Sequence, residues 1–348
     1  MRPRPLSRYS RFLASAIIPV LITIGLPADY IYSQSEWDIE SPYVSVDWER
    51  DGQYKANFHT HTTVGGAGSE PQTVIDRYRE LGYGILALTD HDDNSLAEPT
   101  WPWEEYGRES KALNMVAIQG NEISEVHHIG SLFSDYGDPD AQSEEEALEE
   151  IGRRGGVALF HHPGRYEKGV EWYVEMYRCY DHLIGQEVYN RNDRYPGDRK
   201  SWDAILSKLY PERPVWGFAS DDMHNLEKDI GISWNVVIVP ELTSDMVREA
   251  LEQGRFFFVN DPTGPVGAPA PVIESITADE AAGSIRIEAS GHEYVEWLSE
   301  GAVIHRGELL NLAEVPEAGT YVRAEVHGPD GIIIGTQPIQ IQHQARQE

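Results

Sequence analysis

Five short polar clusters, each placed where an apolar run ends, constrain this chain more than any other feature. They are His59-Thr60-His61, Asp90-His91, Glu122 followed by His127-His128, His161-His162, and Asp222-Met223-His224. Eight of the thirteen histidines lie in them, which scatter along the chain would not produce. The preceding runs, Tyr54 to Phe58, Ile85 to Thr89, Met115 to Gly120, Val157 to Phe160 and Val215 to Ser220, read as short buried strands. Side chains at the C-terminal ends of successive parallel strands converge at one end of a barrel. Imidazoles and carboxylates gathered there are the ligand set of Zn, Mn or Fe ions, so the pattern predicts a multinuclear metal site suited to hydrolysis.

The rest of the chain fits that frame. Helical periodicity covers Gln72 to Leu81, Ser143 to Arg154, Asp198 to Leu209 and Ser244 to Glu252. Ser143 with Glu146 has capping-box spacing, and Thr243 or Ser244 can cap the last helix. Two further strands, Leu183 to Tyr189 and Trp234 to Val239, bring the strand count to seven. Alternating strands and helices predict an α/β fold with a mainly parallel sheet and helices outside it. No Gly-rich phosphate fingerprint follows the first strand, which favours a closed or nearly closed barrel over residues 50–262. Gly65-Gly66-Ala67-Gly68 reads as a flexible loop over the site. The Pro/Gly-dense stretch from Asp261 to Pro269 marks a boundary. Beyond it, the alternating runs Val272 to Ile276, Ser284 to Ala289, Tyr294 to Leu298, Tyr321 to Val326 and Gln337 to Ile341 predict a small antiparallel β-sandwich over 270–343. Its histidines, His292, His305, His327 and His343, are isolated and read as surface or packing residues.

Charge and the N-terminus narrow the setting. A net charge of −30 argues against duplex nucleic acid as a partner, because phosphate backbones demand Lys and Arg clusters. A small phosphorylated substrate stays compatible, since bound cations reverse the field locally. The single cysteine, Cys179, forbids an intrachain disulfide and reads as an inert, half-buried thiol. Arg2, Arg4, Arg8 and Arg11 precede an uncharged, mostly apolar stretch from Phe12 to Ala28, the layout of a secretory signal within residues 1–34. The expectation is export to the periplasm or the extracellular space. At about 17 residues the stretch reaches the lower limit for a span, so an uncleaved leader would anchor the chain to the membrane.

Within the clusters, His59 and His61 are spaced i, i+2, so both point to one face of a strand. Asp222 and His224 repeat that spacing, and Asp221 should point away. His91 ends the second run, where Asp90 can orient an imidazole. Glu122 can bridge two cations. Of the pairs His127-His128 and His161-His162, an extended backbone lets only one member face the site. Arg165 can clamp a phosphate as a fork, or form a surface ion pair.

At these residues the chain resembles the PHP family, named for polymerase and histidinol phosphatase, over roughly residues 54–260. Phe58-His59-Thr60-His61-Thr62 is similar to its first motif and Leu88-Thr89-Asp90-His91-Asp92 to its second. Gly120-Asn121-Glu122-Ile123-Ser124 with His128, then His162-Pro163-Gly164-Arg165, then Ala219-Ser220-Asp221-Asp222-Met223-His224 follow in order. The resemblance implies a distorted (β/α)7 barrel that hydrolyses phosphate esters with two or three divalent metal ions. It implies one ion held by His59, His61, Glu122 and Asp222, and a second by Glu122, His128 and His162. A third would use His91 and His224. Family members commonly carry Asp or His where this chain has Gly66, so the third site is either absent or completed by Glu70, Asp92 or water.

The expected activity is hydrolysis of a phosphomonoester or short nucleotide by a metal-bridged hydroxide. His91 or His224, if metal-free, would protonate the leaving oxygen, with Arg165 on the phosphate. Two other readings remain: an amidohydrolase-type hydrolase of C–N or ester bonds, and a non-catalytic exported binding protein. The first typically uses a bridging Lys, and no Lys lies in the five clusters.

Overall fold

The computed structural model describes residues 36–344 apart from 96–99, 139 and 167. The leader and any cleavage zone lie outside the described residues. No helix among the described residues is long and apolar enough to cross a membrane.

The first eleven strands are β1 (Trp37–Glu40), β2 (Gly52–Asn57), β3 (Tyr83–Ala87), β4 (Val116–Ile118), β5 (Gly120–Ile123), β6 (Ile129–Leu132), β7 (Val157–Phe160), β8 (Leu183–Asn190), β9 (Trp216–Ser220), β10 (Ser233–Val239) and β11 (Phe256–Asn260). Strands β2, β3 and β4 are parallel, as are β7, β8 and β9, while β5-β6-β7 and β2-β10-β11 are antiparallel. The fold is therefore mixed α/β, with three sheets among the described residues. Two isolated parallel bridges, Thr60 to Met223 and His91 to Glu122, stitch strand ends of the large sheet to those of the five-stranded one. Between β9 and β10 the Asn235 amide does the work of a ladder. Its Nδ2 donates to the Ala219 carbonyl at 2.7 Å and its Oδ1 accepts from the Ala219 N–H at 3.1 Å.

The helices follow from the local sequence. Pro71 opens the helix Pro71–Glu80, where its missing N–H costs nothing, and Val74, Ile75 and Tyr78 form its buried stripe. Ser143 caps Glu144–Arg153 by accepting from the Glu146 N–H, with three glutamates in the first turn favoured by the helix dipole. Thr243 caps Ser244–Glu252 in the same way. A helix at Val170–Cys179 was not expected; Tyr173, Val174, Met176 and Tyr177 bury one face, but bulky polar-tipped aromatics blur the hydrophobic period. Cys179 at its end is exposed rather than half-buried.

The C-terminal strands are β12 (Val272–Asp279), β13 (Ser284–Ser290), β14 (Tyr294–Ser299), β15 (Ala302–Arg306), β16 (Leu309–Asn311), β17 (Tyr321–His327), β18 (Ile333–Gly335) and β19 (Ile339–His343). β12, β13 and β16 form a three-stranded sheet. The others join the large sheet, because β18 pairs with β11 and with β17. Gly335 permits this pairing: a Cβ there would lie 1.9 Å from the Phe258 ring. Gln337 adds two bonds of 2.8 Å to the Gly217 backbone. The polar lead-in is also structural, since β1 pairs with β19. The sequence suggested a C-terminal module set apart by its linker. Instead its strands are continuous with the β2-β10-β11 sheet, because strand pairing resumes beyond the Pro/Gly turn.

Candidate metal centre

The ends of β2, β3, β7 and β9, the middle of β5 and the residue before β6 bring together seven histidines and two carboxylates, Glu122 and Asp222. Glu122 is buried, and its Oε1 lies 2.8 Å from His128 Nδ1, 2.9 Å from His161 Nδ1, 3.1 Å from His59 Nε2 and 3.4 Å from His162 Nε2. Its Oε2 lies 3.0 Å from His91 Nδ1 and 3.5 Å from His61 Nε2. Asp222 Oδ1 closes the other side, 3.4 Å from His61 Nε2, 3.5 Å from His59 Nε2 and 3.3 Å from His224 Nδ1. A carboxylate oxygen offers two lone pairs, so four imidazole nitrogens around one oxygen cannot all be hydrogen-bond donors to it. The surplus nitrogens present lone pairs to a shared space. His61 Nδ1 and His162 Nδ1 are buried without a hydrogen-bond partner. Burying so many polar groups without cations carries a heavy desolvation cost, and the donor set fits divalent metals.

Electrostatics agree. Burial opposes charge on Glu122 and on Asp222, yet the neighbouring imidazoles, His59 foremost, hold both carboxyls well below their usual range. Burial pushes His61 down to about 3 and His161 to about 4, and it lowers His128 as well. These rings are neutral, the form that binds a cation. His59, ringed by Glu122, Glu187 and Asp222, is driven well above the ordinary histidine value against the effect of its own burial.

Most of the expected positions meet in this cluster. Groups of ligand atoms within 4.8 Å of one another include His59, His61 and Glu122; His59, His162 and Asp222; and His91, Glu122 and His128. His127 turns away, its ring bonded to the His128 carbonyl and the Tyr173 hydroxyl. Asp221 also points away, accepting from Tyr78 and from three backbone N–H groups at 231–233. Arg165 is exposed, with its guanidinium 5.8 Å from the Tyr166 ring centroid.

Four features differ from the sequence reading. Both His161 and His162 reach Glu122, because His162 leaves the extended conformation at φ 28° and the alternation of faces breaks there. Asp90 orients no imidazole. It accepts from the Thr62 hydroxyl at 2.7 Å and from the Gly65 N–H at 2.9 Å, and so shapes the turn after His61. That turn is tied down rather than free, since Gly68 N–H also donates to the His224 carbonyl at 3.1 Å. Gly66 sits in it at φ 81°, a left-handed position that glycine adopts freely, so the turn offers no side-chain ligand. Asp92 cannot replace it, for its carboxylate accepts from the Ser124 and Asp138 N–H groups, and Glu70 is exposed. His61 instead joins His91 and His224 in a three-imidazole group within the same 4.8 Å limit.

Sequence reasoning missed Glu187, Arg191 and Arg194. Glu187 is fully buried on β8 and accepts from His59 Nδ1 at 2.8 Å. Arg191 Nη2 lies 2.7 Å from His224 Nδ1, and Arg194 Nη1 lies 3.6 Å from Asp222 Oδ2. The signal was the charged Glu187 inside an apolar run.

No protein-family model matches the chain. An uncharacterized protein of Methanocaldococcus jannaschii is 30% identical over 177 residues, which is 47% of this chain and 96% of that protein. The 5'-3' exoribonuclease Rnm of Escherichia coli is 36% identical over 80 residues, 21% of this chain and 26% of the exoribonuclease. A two-domain crystal structure from Bacteroides vulgatus, described as containing a predicted PHP-like metal-dependent phosphoesterase, superposes with a TM-score of 0.54 at 17% identity. It covers 84% of this chain and 96% of its own. The chain belongs to the PHP family of metal-dependent hydrolases. As a PHP protein it carries the family's motifs in order, with a glycine at the one departure. The Bacteroides structure, at this identity, speaks for the fold alone.

Proposed function

We propose that this PHP protein is a phosphoesterase that hydrolyses a phosphomonoester or a short nucleotide with two or more divalent cations, Zn, Mn or Fe. One observation carries the reading: imidazoles from four strand ends converge on the Glu122 carboxylate beside Asp222. His59, His61, Glu122 and Asp222 would hold one ion, and Glu122, His128 and His162 a second. His91 and His224, with His61, line the space for a third. Bound there, the cations would supply an activated water and neutralise phosphoryl charge.

The chain's own groups do the rest. His224 Nδ1 lies 2.7 Å from Arg191 Nη2, which can only donate, and 3.0 Å from the Asp222 carbonyl, which can only accept, so either tautomer of the ring finds a partner there. His224, when metal-free, would be the group that protonates the leaving oxygen. Arg165 and Arg194, both exposed beside the cluster, offer forks for an anionic substrate in an otherwise acidic protein. The acidic surface disfavours long nucleic acids. The fold we propose for the metal-binding part is a distorted barrel; the Thr60–Met223 and His91–Glu122 bridges and the Asn235 link support it. From the leader we propose export, which a reporter fused after residue 50 tests: activity confined to the cytoplasm would count against it.

The deciding experiment is elemental analysis of the purified protein with a phosphoester panel run on the same sample. Metal-loaded protein should hydrolyse p-nitrophenyl and alkyl phosphates. His224→Asn should lose far more rate on the alkyl ester, whose leaving group needs a proton. Loaded protein that cleaves only C–N or carboxylic ester bonds would replace this reading with an amidohydrolase one.

A further inference from the structure

Glu187 belongs to none of the five sequence clusters and to neither proposed ligand set, although its carboxylate comes within 4.8 Å of ligand atoms of His59 and His161. Its two oxygens are divided between different ligands. Oε1 accepts from His59 Nδ1 at 2.8 Å, while Oε2 accepts from the His162 backbone N–H at 2.7 Å and from Asn190 Nδ2 at 3.0 Å. A carboxylate can only accept, so it keeps a proton of His59 on Nδ1 and leaves Nε2, which faces Glu122 and Asp222, as the nitrogen to give up its proton to a cation. At His162 it holds the main chain at φ 28°, a strained conformation that brings the ring in toward Glu122. A bulge in the β8–β9 register between Glu187 and Tyr189 lies beside it on β8.

We propose that Glu187 is a positioning residue for both metal ions, setting the ring of His59 at one and the backbone of His162 at the other. The proposal rests on the metal-site reading above. It predicts that one substitution, at a residue outside the two proposed ligand sets, weakens both ions together. Glu187→Gln keeps the volume but offers an N–H where one oxygen accepted, so it cannot satisfy both donors.

The test is calorimetric titration of chelator-stripped full-length protein with Zn²⁺ and with Mn²⁺, alongside melting of the metal-free forms. Wild type should bind at least two ions. Glu187→Gln should bind both roughly 10- to 100-fold more weakly, the usual effect of losing an orienting partner behind a metal ligand. Its metal-free form should still fold and melt in a single transition, and the parallel loss of affinity for both ions is what a merely structural role would not produce. Wild type binding no metal would overturn the site reading itself. Wild type binding two ions with Glu187→Gln matching it, or weakening only one, would overturn the role of Glu187 alone. Should Glu187→Gln not fold, Glu187→Asp keeps the charge but is one methylene short of reaching both donors. Affinities for it within about twofold of wild type would equally refute the proposal.

Discussion

The imidazole of His161 lies flat on that of His59, with ring centroids 3.7 Å apart and planes 14° from parallel. Two charged rings would repel in this stack. Burial, and then the charge of His59, push His161 down to about 4, so it stays neutral while its Nδ1 faces Glu122. The space beneath it comes from Gly130, where a Cβ would lie 2.5 Å from His161 Nε2.

Gly130→Ala should therefore disturb the metal site without altering any candidate ligand. The added methyl meets a ring already stacked on its other side, so overpacking should cost about 1–3 kcal/mol of stability. Metal affinity should fall with it, since His161 must tilt against His59. Urea denaturation and metal titration check both. A variant equal to wild type in each would mean the stack is loose.

Glu122→Gln should remove at least one ion and lower kcat by about 10³, the scale of losing a charged stabiliser in a buried site. Its neighbours bind through the charge that this carboxylate carries. The strand pairing of β5 with β6 does not depend on the side chain, so the protein should still fold. Elemental analysis with single-turnover rates decides, and unchanged metal content would refute the bridging role.

The site was legible because its chemistry is written at strand ends. Apolar runs predicted β7 at its observed bounds and most other strands to within a residue or two, and His59 and His61 face one side, within 4.8 Å of Glu122, as their spacing implied. Legibility failed where the backbone leaves regular geometry. His162 at φ 28° broke the alternation that separated it from His161, and Gly66 at φ 81° exchanged a ligand for a turn. Long-range pairing was equally hidden. Nothing in Ile333 to Gly335 announces β11 as its partner, and the charge of Glu187 inside an apolar run does not say which donors it meets.

Asp198 gives a pH-dependent prediction. It is buried in the first turn of helix Gly197–Leu209, with Oδ1 accepting from the Gly164 N–H and Oδ2 without a partner. Burial pushes its carboxyl up to about 8. A raised folded-state value means the folded protein favours the protonated form. That stability is fully present below about pH 4, the unfolded value, and is lost as pH rises through 8. Asp198→Asn keeps an acceptor for Gly164 but does not titrate. Relative to wild type it should gain stability between pH 5 and pH 8, by roughly 1–3 kcal/mol at the upper end. Denaturation in chelator at both pH values measures the difference, and a gap that does not grow with pH would refute it.

The C-terminal strands are held to the rest of the chain by a buried ion network. Arg323 on β17 is buried, and its fork bonds both oxygens of Asp203, Nε to Oδ1 at 2.9 Å and Nη2 to Oδ2 at 2.7 Å. Its Nη1 reaches Glu325 at 2.7 Å, and the Tyr321 hydroxyl adds a bond of 2.9 Å to Asp203. Asp203 lies on helix Gly197–Leu209, whose first turn holds Gly164 beside His162. Arg323→Met would leave two buried carboxylates facing each other without their cation, at a cost of about 3–5 kcal/mol. Adding Asp203→Asn should recover part of that loss, because the uncompensated charge goes with it. Both variants should still unfold in one transition if the C-terminal strands and the metal-binding part are one cooperative unit. Two separate transitions, or a cost for Arg323→Met within about 0.5 kcal/mol of zero, the range of an ordinary surface change, would mean this network joins nothing that matters to stability.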